Sequence, residues 1–320
     1  MPTIQTEPTN EARRTFAVGR ESTPHSWPLV LFAVLGASSV AIWLGPLASS
    51  FALALRDDRY THILLILPLS AALIFLNRKD LDLNGAETES SSGGFKVGSA
   101  LVAVAVLGTI GVRGQVFPLS SDEQLAANMV AFVVWWLAAF IICFGARTFR
   151  GALFPLCFLF WIVPLPQVVL DQIVSLLQRG SAAAAHVLFL AAGFPVAQRG
   201  TLVHIPGLTL EVAPECSSIR SSMMLLVTTM VLAHLLLRSP WRKIVVVAAA
   251  IPLSIGKNGL RIFALGALAT RVNPNFLTGR LHRQGGIIFF LIALAGIFLL
   301  IWILRRREVQ KARIVPSGSA

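Results

Sequence analysis

Charged side chains are scarce in this chain of 320 residues, because Asp, Glu, Lys and Arg make up 13% of it. A soluble protein carries about 25%. Hydrophobic residues reach 55%, and the mean hydropathy is +0.74. So few charges cannot cover the surface of a water-soluble globule of this length. The composition therefore predicts an all-α polytopic integral membrane protein that uses lipid as its solvent.

Cysteine is also rare, and the usual metal and phosphate motifs are missing. Cys143, Cys157 and Cys216 have no CxxC or zinc-type spacing and allow at most one disulfide. The sequence has no HExxH, no GxxxxGK[ST] phosphate loop and no GxSxG elbow. We therefore expect neither a metal nor a cofactor.

Acidic residues are outnumbered by basic ones, 15 to 27, which gives a net charge of +12. Such an excess can indicate nucleic-acid binding, but in a membrane protein it is typical of cytoplasmic loops. With eight spans, about twice as many Lys and Arg residues fall on the side of the two termini as on the other side. We therefore expect both termini in the cytoplasm and no nucleic-acid partner.

Eight apolar runs approach the length of about 20 residues that crosses a bilayer. They are 28–47, 60–76, 97–114, 125–144, 150–170, 217–237, 244–269 and 286–304. A further stretch, 171–194, is apolar but interrupted by polar residues, and we expect an interfacial or re-entrant helix there, with a ninth span as the alternative. Residues 195–215 predict a small extracytoplasmic hairpin with its turn at Pro206-Gly207.

Ionisable residues inside spans are costly, and the last third of the chain has the densest set. Arg261 lies eight residues before the outer end of its run, roughly 12 Å deep at 1.5 Å per residue. Cys216 and His282 lie at the outer ends of the neighbouring runs. A thiol, a guanidinium and an imidazole from three helices are therefore expected to meet just under the outer surface.

This combination suits a nucleophilic cysteine. A thiolate at a helix start beside Arg220 has a lowered pKa, because the helix dipole and the cation stabilise negative charge. His282 would protonate the leaving amine, and Arg261 would stabilise the oxyanion. The alternative is that Cys216 is a small apolar residue at a helix start.

The same residues resemble the signature blocks of the exosortase/archaeosortase family. The matching blocks are Cys216-Ser217-Ser218-Ile219-Arg220-Ser221, Asn258 to Arg261, His282, Tyr60-Thr61-His62 with Leu67-Pro68, Val163-Pro164-Leu165-Pro166, and Gly193-Phe194-Pro195-Val196 with Arg199-Gly200. Together they cover residues 55–300. The resemblance implies a multi-spanning cysteine transpeptidase for exported proteins with a C-terminal sorting signal: a motif such as Pro-Glu-Pro, a hydrophobic helix and a basic tail.

Residue roles follow from the resemblance. Cys216 matches the nucleophile, Arg261 the catalytic arginine, and His282 the third position, which is arginine in archaeal relatives. We assign supporting or substrate-binding roles to Arg220, Asn258, Ser217 and His62. Alternatives remain: Arg220 as an interfacial anchor, Asn258 as a bond between helices. The family's Cys-Ser-Gly is Cys-Ser-Ser here, so Ser218 adds a Cβ where the family has none.

The resulting hypothesis divides the chain into three parts. Residues 1–26 and 305–320 are cytoplasmic tails, and 27–304 form the transmembrane catalytic domain. The expected activity is cleavage of sorting signals at the outer face of the cytoplasmic membrane through a thioester. The expected partners are the exported proteins, membrane lipid and an unidentified acceptor nucleophile. Rival hypotheses are a transporter or channel, with Lys257 and Arg261 lining an anion pathway, and a scaffold for polysaccharide export.

Overall fold

The computed structural model describes residues 27–78, 92–116, 118–212, 219–273 and 286–314. Its α-helices are α1 Trp27–Ile42, α2 Leu44–Arg56, α3 Ile63–Leu76, α4 Ser92–Arg113, α5 Ser121–Gly151, α6 Leu153–Phe158, α7 Gln167–Ala191, α8 Ile219–Leu236, α9 Pro240–Arg271 and α10 Gly286–Ile314. Short 3-10 helices cover Asp58–Tyr60 and Leu159–Ile162, and the strands are β1 Ala197–Arg199, β2 Leu202–Ile205 and β3 Leu208–Glu211.

Most of these helices have the length and composition of membrane spans. Among the described residues, seven helices are long and apolar enough to cross a membrane. The pair α1 and α2, bent by 73°, raises the number to as many as eight. The predicted all-α polytopic fold is therefore confirmed.

One predicted span is wrong in its placement. The run 150–170 is not one helix: α6 ends at Phe158, the 3-10 helix ends at Ile162, and Val163 is extended. Pro164 and Pro166 break it, because proline lacks an N–H and forces the residue before it out of the α region. The stretch 171–194, which we expected at the interface, lies mostly in α7, which is itself long and apolar enough to span.

Glycines set the contact between α7 and α9. A Cβ on Gly259 would lie 2.5 Å from the Cβ of Ala184, and one on Gly180 would lie 3.0 Å from Ile255. Later along both helices, a Cβ on Gly266 would lie 2.8 Å from the ring of Phe189. These contacts follow the same order along both helices, so α7 and α9 run parallel. At Gly259 and Gly266 the helices pack too closely to admit a side chain without movement.

Helix α8 pairs with α9 in the opposite direction, and α10 packs on both. Buried residues of α8, α9 and α10 share one apolar cluster that includes Leu225, Val246 and Ile297. Where α8 passes into α9, Glu308 of α10 accepts the backbone N–H groups of Arg238 and Ser239 at 3.3 and 2.9 Å. The last helix therefore closes the turn between the two before it.

The described part of the chain holds one antiparallel sheet in the order β1-β2-β3. The predicted hairpin is confirmed by β2 and β3, and Gly207 takes the positive φ of 76° that the second turn position requires. Strand β1 was not predicted, because its three residues have no apolar alternation. The sheet buries Val203 and Ile205 against Phe189 of α7.

Candidate active site

Three of the predicted site residues, Cys216, Ser217 and His282, lie outside the described residues. The nearest described residues lie a few positions away in the chain. Helix α8 begins at Ile219, three residues after Cys216, and α10 begins at Gly286, four residues after His282. The surroundings of the first turn of α8 therefore define the candidate site.

Arg220 in that first turn forms an ion pair with Asp58. Its Nη1 donates to Oδ1 of Asp58 at 2.7 Å, across 162 residues of sequence. Both side chains are more than half exposed, so the pair contributes under about 1 kcal/mol. Its importance is positional, because it ties the 3-10 helix Asp58–Tyr60 to the start of α8.

The neighbouring Asp57 pairs with Arg59, so Asp58 is available to pair with Arg220. The Asp57 carboxylate accepts the backbone N–H of Arg59 at 2.9 Å and its Nη2 at 2.6 Å. The side-chain hydrogen bond from Arg59, followed by the weaker backbone bond and charge attraction, holds the pKa of Asp57 below its ordinary value against the opposing effect of burial. Asp57 and Asp58 therefore each have an arginine partner.

His62 is buried close to this segment. It is 4% exposed, its ring meets Trp161 edge-on at 6.3 Å, and its Nδ1 has no hydrogen-bond partner among the described residues. Two residues earlier, the hydroxyl of Tyr60 donates to the carbonyl of Leu165 at 3.0 Å. The structure therefore brings together the blocks around Tyr60 and Leu165, which the sequence could not link.

Two polar residues of α9 point to different neighbours. Lys257 is 6% exposed, and its ammonium donates to Oγ of Ser221 in the first turn of α8. Asn258 is 2% exposed, and its amide donates to Oγ of Ser181 on α7 at 3.0 Å. Asn258 thus bonds two helices, as the alternative interpretation expected, and its site role stays a prediction.

Arg261 follows Lys257 by one helical turn, which places the two cations on one face of α9. It is half-buried. Together with Arg220, which pairs with Asp58, these residues put three cations on the two helices that meet at Ser221. This is the electrostatic setting that a thiolate or an oxyanion requires.

An open groove of about 610 Å³ follows the first half of α7. Apolar and polar side chains line it, including Asp171, Ser175 and Arg179, which are spaced one turn apart. Asp171 also interacts electrostatically with Arg59. The groove therefore starts beside the segment that contacts α8.

The described residues contain no group of three or more His, Cys, Asp or Glu side chains that could hold a metal ion. Cys143 and Cys157 are free thiols, the first buried and the second exposed.

A family model described as transmembrane exosortase matches residues 54–299, well over half of the chain. No curated protein and no solved structure matches.

Proposed function

Because the chain belongs to the transmembrane exosortase family, we propose that it is a membrane cysteine peptidase and transpeptidase for exported proteins. It cleaves a C-terminal sorting signal at the outer face of the cytoplasmic membrane and transfers the exported protein to an acceptor nucleophile. Both termini of the chain lie in the cytoplasm.

The reaction uses three side chains. The thiolate of Cys216 attacks the scissile carbonyl, and a carbon–sulfur bond forms as the carbon–nitrogen bond breaks. Arg261 stabilises the negative charge on the carbonyl oxygen, and His282 gives its proton to the leaving amine. Water or an acceptor amine then attacks the thioester and restores the thiol.

The observation that supports this proposal best is the group of cations on α8 and α9 around the contact between Lys257 and Ser221. Arg220 lies on α8, and Lys257 and Arg261 lie on α9, and both helices are long and apolar enough to cross a membrane. Arg220 pairs with Asp58, and Lys257 donates to Ser221. Charge inside such helices is expensive and marks function more often than structure. An excess of positive charge beside a cysteine suits the thiolate that starts the reaction.

The substrate binds at the end of the helix bundle where α8 begins. The hydrophobic helix of the sorting signal lies in the bilayer beside the enzyme, with its basic tail in the cytoplasm. The motif that precedes this helix then lies at the level of Cys216. The groove on α7 offers polar and apolar contacts for the peptide on that path.

The test is co-expression with a tagged protein that ends in a motif, a hydrophobic helix and a basic tail. Wild type, Cys216→Ala and the matched control Cys157→Ala are compared by the size of the tagged protein on a gel. We expect the shorter product with wild type and Cys157→Ala and its loss with Cys216→Ala. Product masses distinguish hydrolysis from transfer.

An unprocessed substrate in all three strains, across several motifs and with every protein present in the membrane, would contradict the proposal. A transporter or scaffold would instead leave its own phenotype intact in Cys216→Ala.

A further inference from the structure

Three consecutive arginines follow the last apolar turn of α10. Arg305, Arg306 and Arg307 are all exposed. Leu299 and Trp302 are exposed on the preceding turns, and α10 is apolar enough to cross a membrane, so these side chains face lipid. The three cations therefore lie at the depth where acyl chains give way to headgroups.

Two tryptophans mark the same depth independently. Trp241 in the first turn of α9 is 58% exposed, and Trp302 near the end of α10 is 50% exposed. Exposed tryptophan is typical of the headgroup level, because its ring is apolar and its N–H is hydrated there. Arg306 lies one turn after Trp302 on the same face of α10, and its guanidinium stacks over the indole ring at 3.7 Å. A cation is thus held on the side of α10 that faces lipid.

The start of α9 adds positive charge at this end of α10. Arg242 donates to the carbonyl of Leu304 at 2.9 Å and pairs with Glu308 at 3.4 Å, which joins the two helix ends. Arg242 and Glu308 are mostly buried, so their charges meet inside the junction. Glu308 also accepts the backbone N–H of Arg238, whose side chain is exposed, and the half-buried Lys243 follows Arg242 in the chain.

We propose that this junction of α9 and α10 is a binding site for the headgroups of anionic phospholipids. Its cations are the three arginines of α10 together with Arg238 and Lys243. Guanidinium groups bind phosphate oxygens in pairs, and several basic residues next to a membrane span attract anionic lipid. The pair of Arg242 with Glu308 keeps the two sets of cations at one place.

Lipid is the occupant that the observations favour, because the cations continue the exposed apolar face of α10. An acyl chain along Leu299 and Trp302 carries its phosphate to the level of Arg306. The site lies beyond the end of α8, whereas the candidate active site lies at its start. The proposal is therefore independent of the peptidase reaction.

The test uses the full chain reconstituted in phosphatidylcholine vesicles with rising fractions of brominated phosphatidylglycerol or brominated phosphatidylcholine. Bromine on the acyl chains quenches nearby tryptophan. The chain has seven tryptophans, so the signal of Trp302 is the difference between each protein and the same protein with Trp302→Phe. The lipid fraction that gives half of the maximal quenching is measured for both lipids, and the ratio of the two fractions is the selectivity.

Two variants of matched chemistry are compared with wild type. Arg306→Gln removes the guanidinium that stacks over Trp302. Arg271→Gln removes an exposed guanidinium that stacks over Phe194 at 4.3 Å, at the opposite end of α9 and roughly 45 Å from Trp241 along the helix. Each selectivity compares two lipids on one protein, so a changed environment of Trp302 cancels.

We expect wild type to select phosphatidylglycerol and Arg306→Gln to lower this selectivity about fivefold at low salt, because one basic residue at the surface contributes about 1 kcal/mol. Arg271→Gln should keep the wild-type selectivity. Replacing all three arginines of α10 by Gln should bring the two lipids close to equal quenching. Added salt should weaken the selectivity of wild type.

Equal half-maximal fractions of the two lipids in wild type overturn the proposal. Selectivity unchanged in Arg306→Gln also overturns it, and so does an equal loss in Arg271→Gln, which would show that the net charge of the protein recruits the lipid. If Arg306→Gln fails to insert, Arg307→Gln takes its place with the same expectation.

Discussion

The seam between α7 and α9 predicts opposite behaviour for two glycines three residues apart. A Cβ on Gly259 would lie 2.5 Å from the Cβ of Ala184 and 3.1 Å from the backbone nitrogen of Ala185. A Cβ on Gly256 would meet nothing within 4 Å. Gly259→Ala therefore has to move the two helices apart by about 1 Å, since carbon atoms pack at roughly 3.5–4.0 Å.

The two substitutions share every other effect. Both gain the helix propensity of alanine over glycine, about 1 kcal/mol, so the difference between them isolates the packing clash. Overpacking of this kind costs about 1–3 kcal/mol. Gly259→Ala should thus be less stable than Gly256→Ala by about 1–3 kcal/mol, a difference of roughly 1.5–4.5 °C in melting temperature for a chain of this length.

Thermal melts of the purified proteins in one detergent, followed by circular dichroism at 222 nm, measure this difference. The same samples should show weaker substrate processing for Gly259→Ala, because Asn258 and Arg261 flank the displaced position. Equal melting temperatures for the two variants would refute the close approach of α7 and α9 at Gly259.

Three further predictions concern charged contacts. The double variant Asp58→Arg with Arg220→Asp should process more substrate than either single variant. The free energy of unfolding should change by under about 1 kcal/mol in each of the three variants. A double variant that processes no more than the single variants would count against the ion pair. Asp57 has a lowered pKa through its bond with Arg59, so its stabilisation is present above the unfolded pKa of about 3.9 and is lost as pH falls through the folded value. Asp57→Asn should accordingly lower stability at pH 7 and flatten its fall below about pH 4, measured by melts across pH; parallel curves would contradict this. Glu308→Ala should lower unfolding stability by about 1–3 kcal/mol in denaturant titrations, since two backbone N–H groups lose their acceptor; an unchanged midpoint would show that water replaces it.

Hydropathy was sufficient to predict the membrane helices, because burial in lipid is read from composition over about 20 residues. It failed at 150–170, where average apolarity hides the breaks at Pro164 and Pro166. Hydropathy also failed to predict 171–194 as part of a helix long enough to span. The polar residues of this stretch lie on one face of α7, which leaves the other face free to pack. That spacing was visible in the sequence.

The site was predictable in its parts and not in its connections. The sequence identified Arg220 and Lys257 as charged residues within predicted membrane spans, where charge is costly. Their partners, Asp58 and Ser221, carry no such signal, because an aspartate beside an apolar run and a serine in a helix are both common. Pairs separated by many residues follow from the packing of whole helices, which a single sequence does not specify.

The hydrogen bonds that Glu308 accepts from the turn between α8 and α9 can form only after the last helix has been synthesised. Arg238 emerges from the ribosome 70 residues before Glu308. The hairpin that carries Ser221 and Lys257 is therefore translated in full while its turn still lacks an acceptor. Shortening that helix before Glu308 should therefore leave a protein that inserts into the membrane with the turn between α8 and α9 lacking this acceptor.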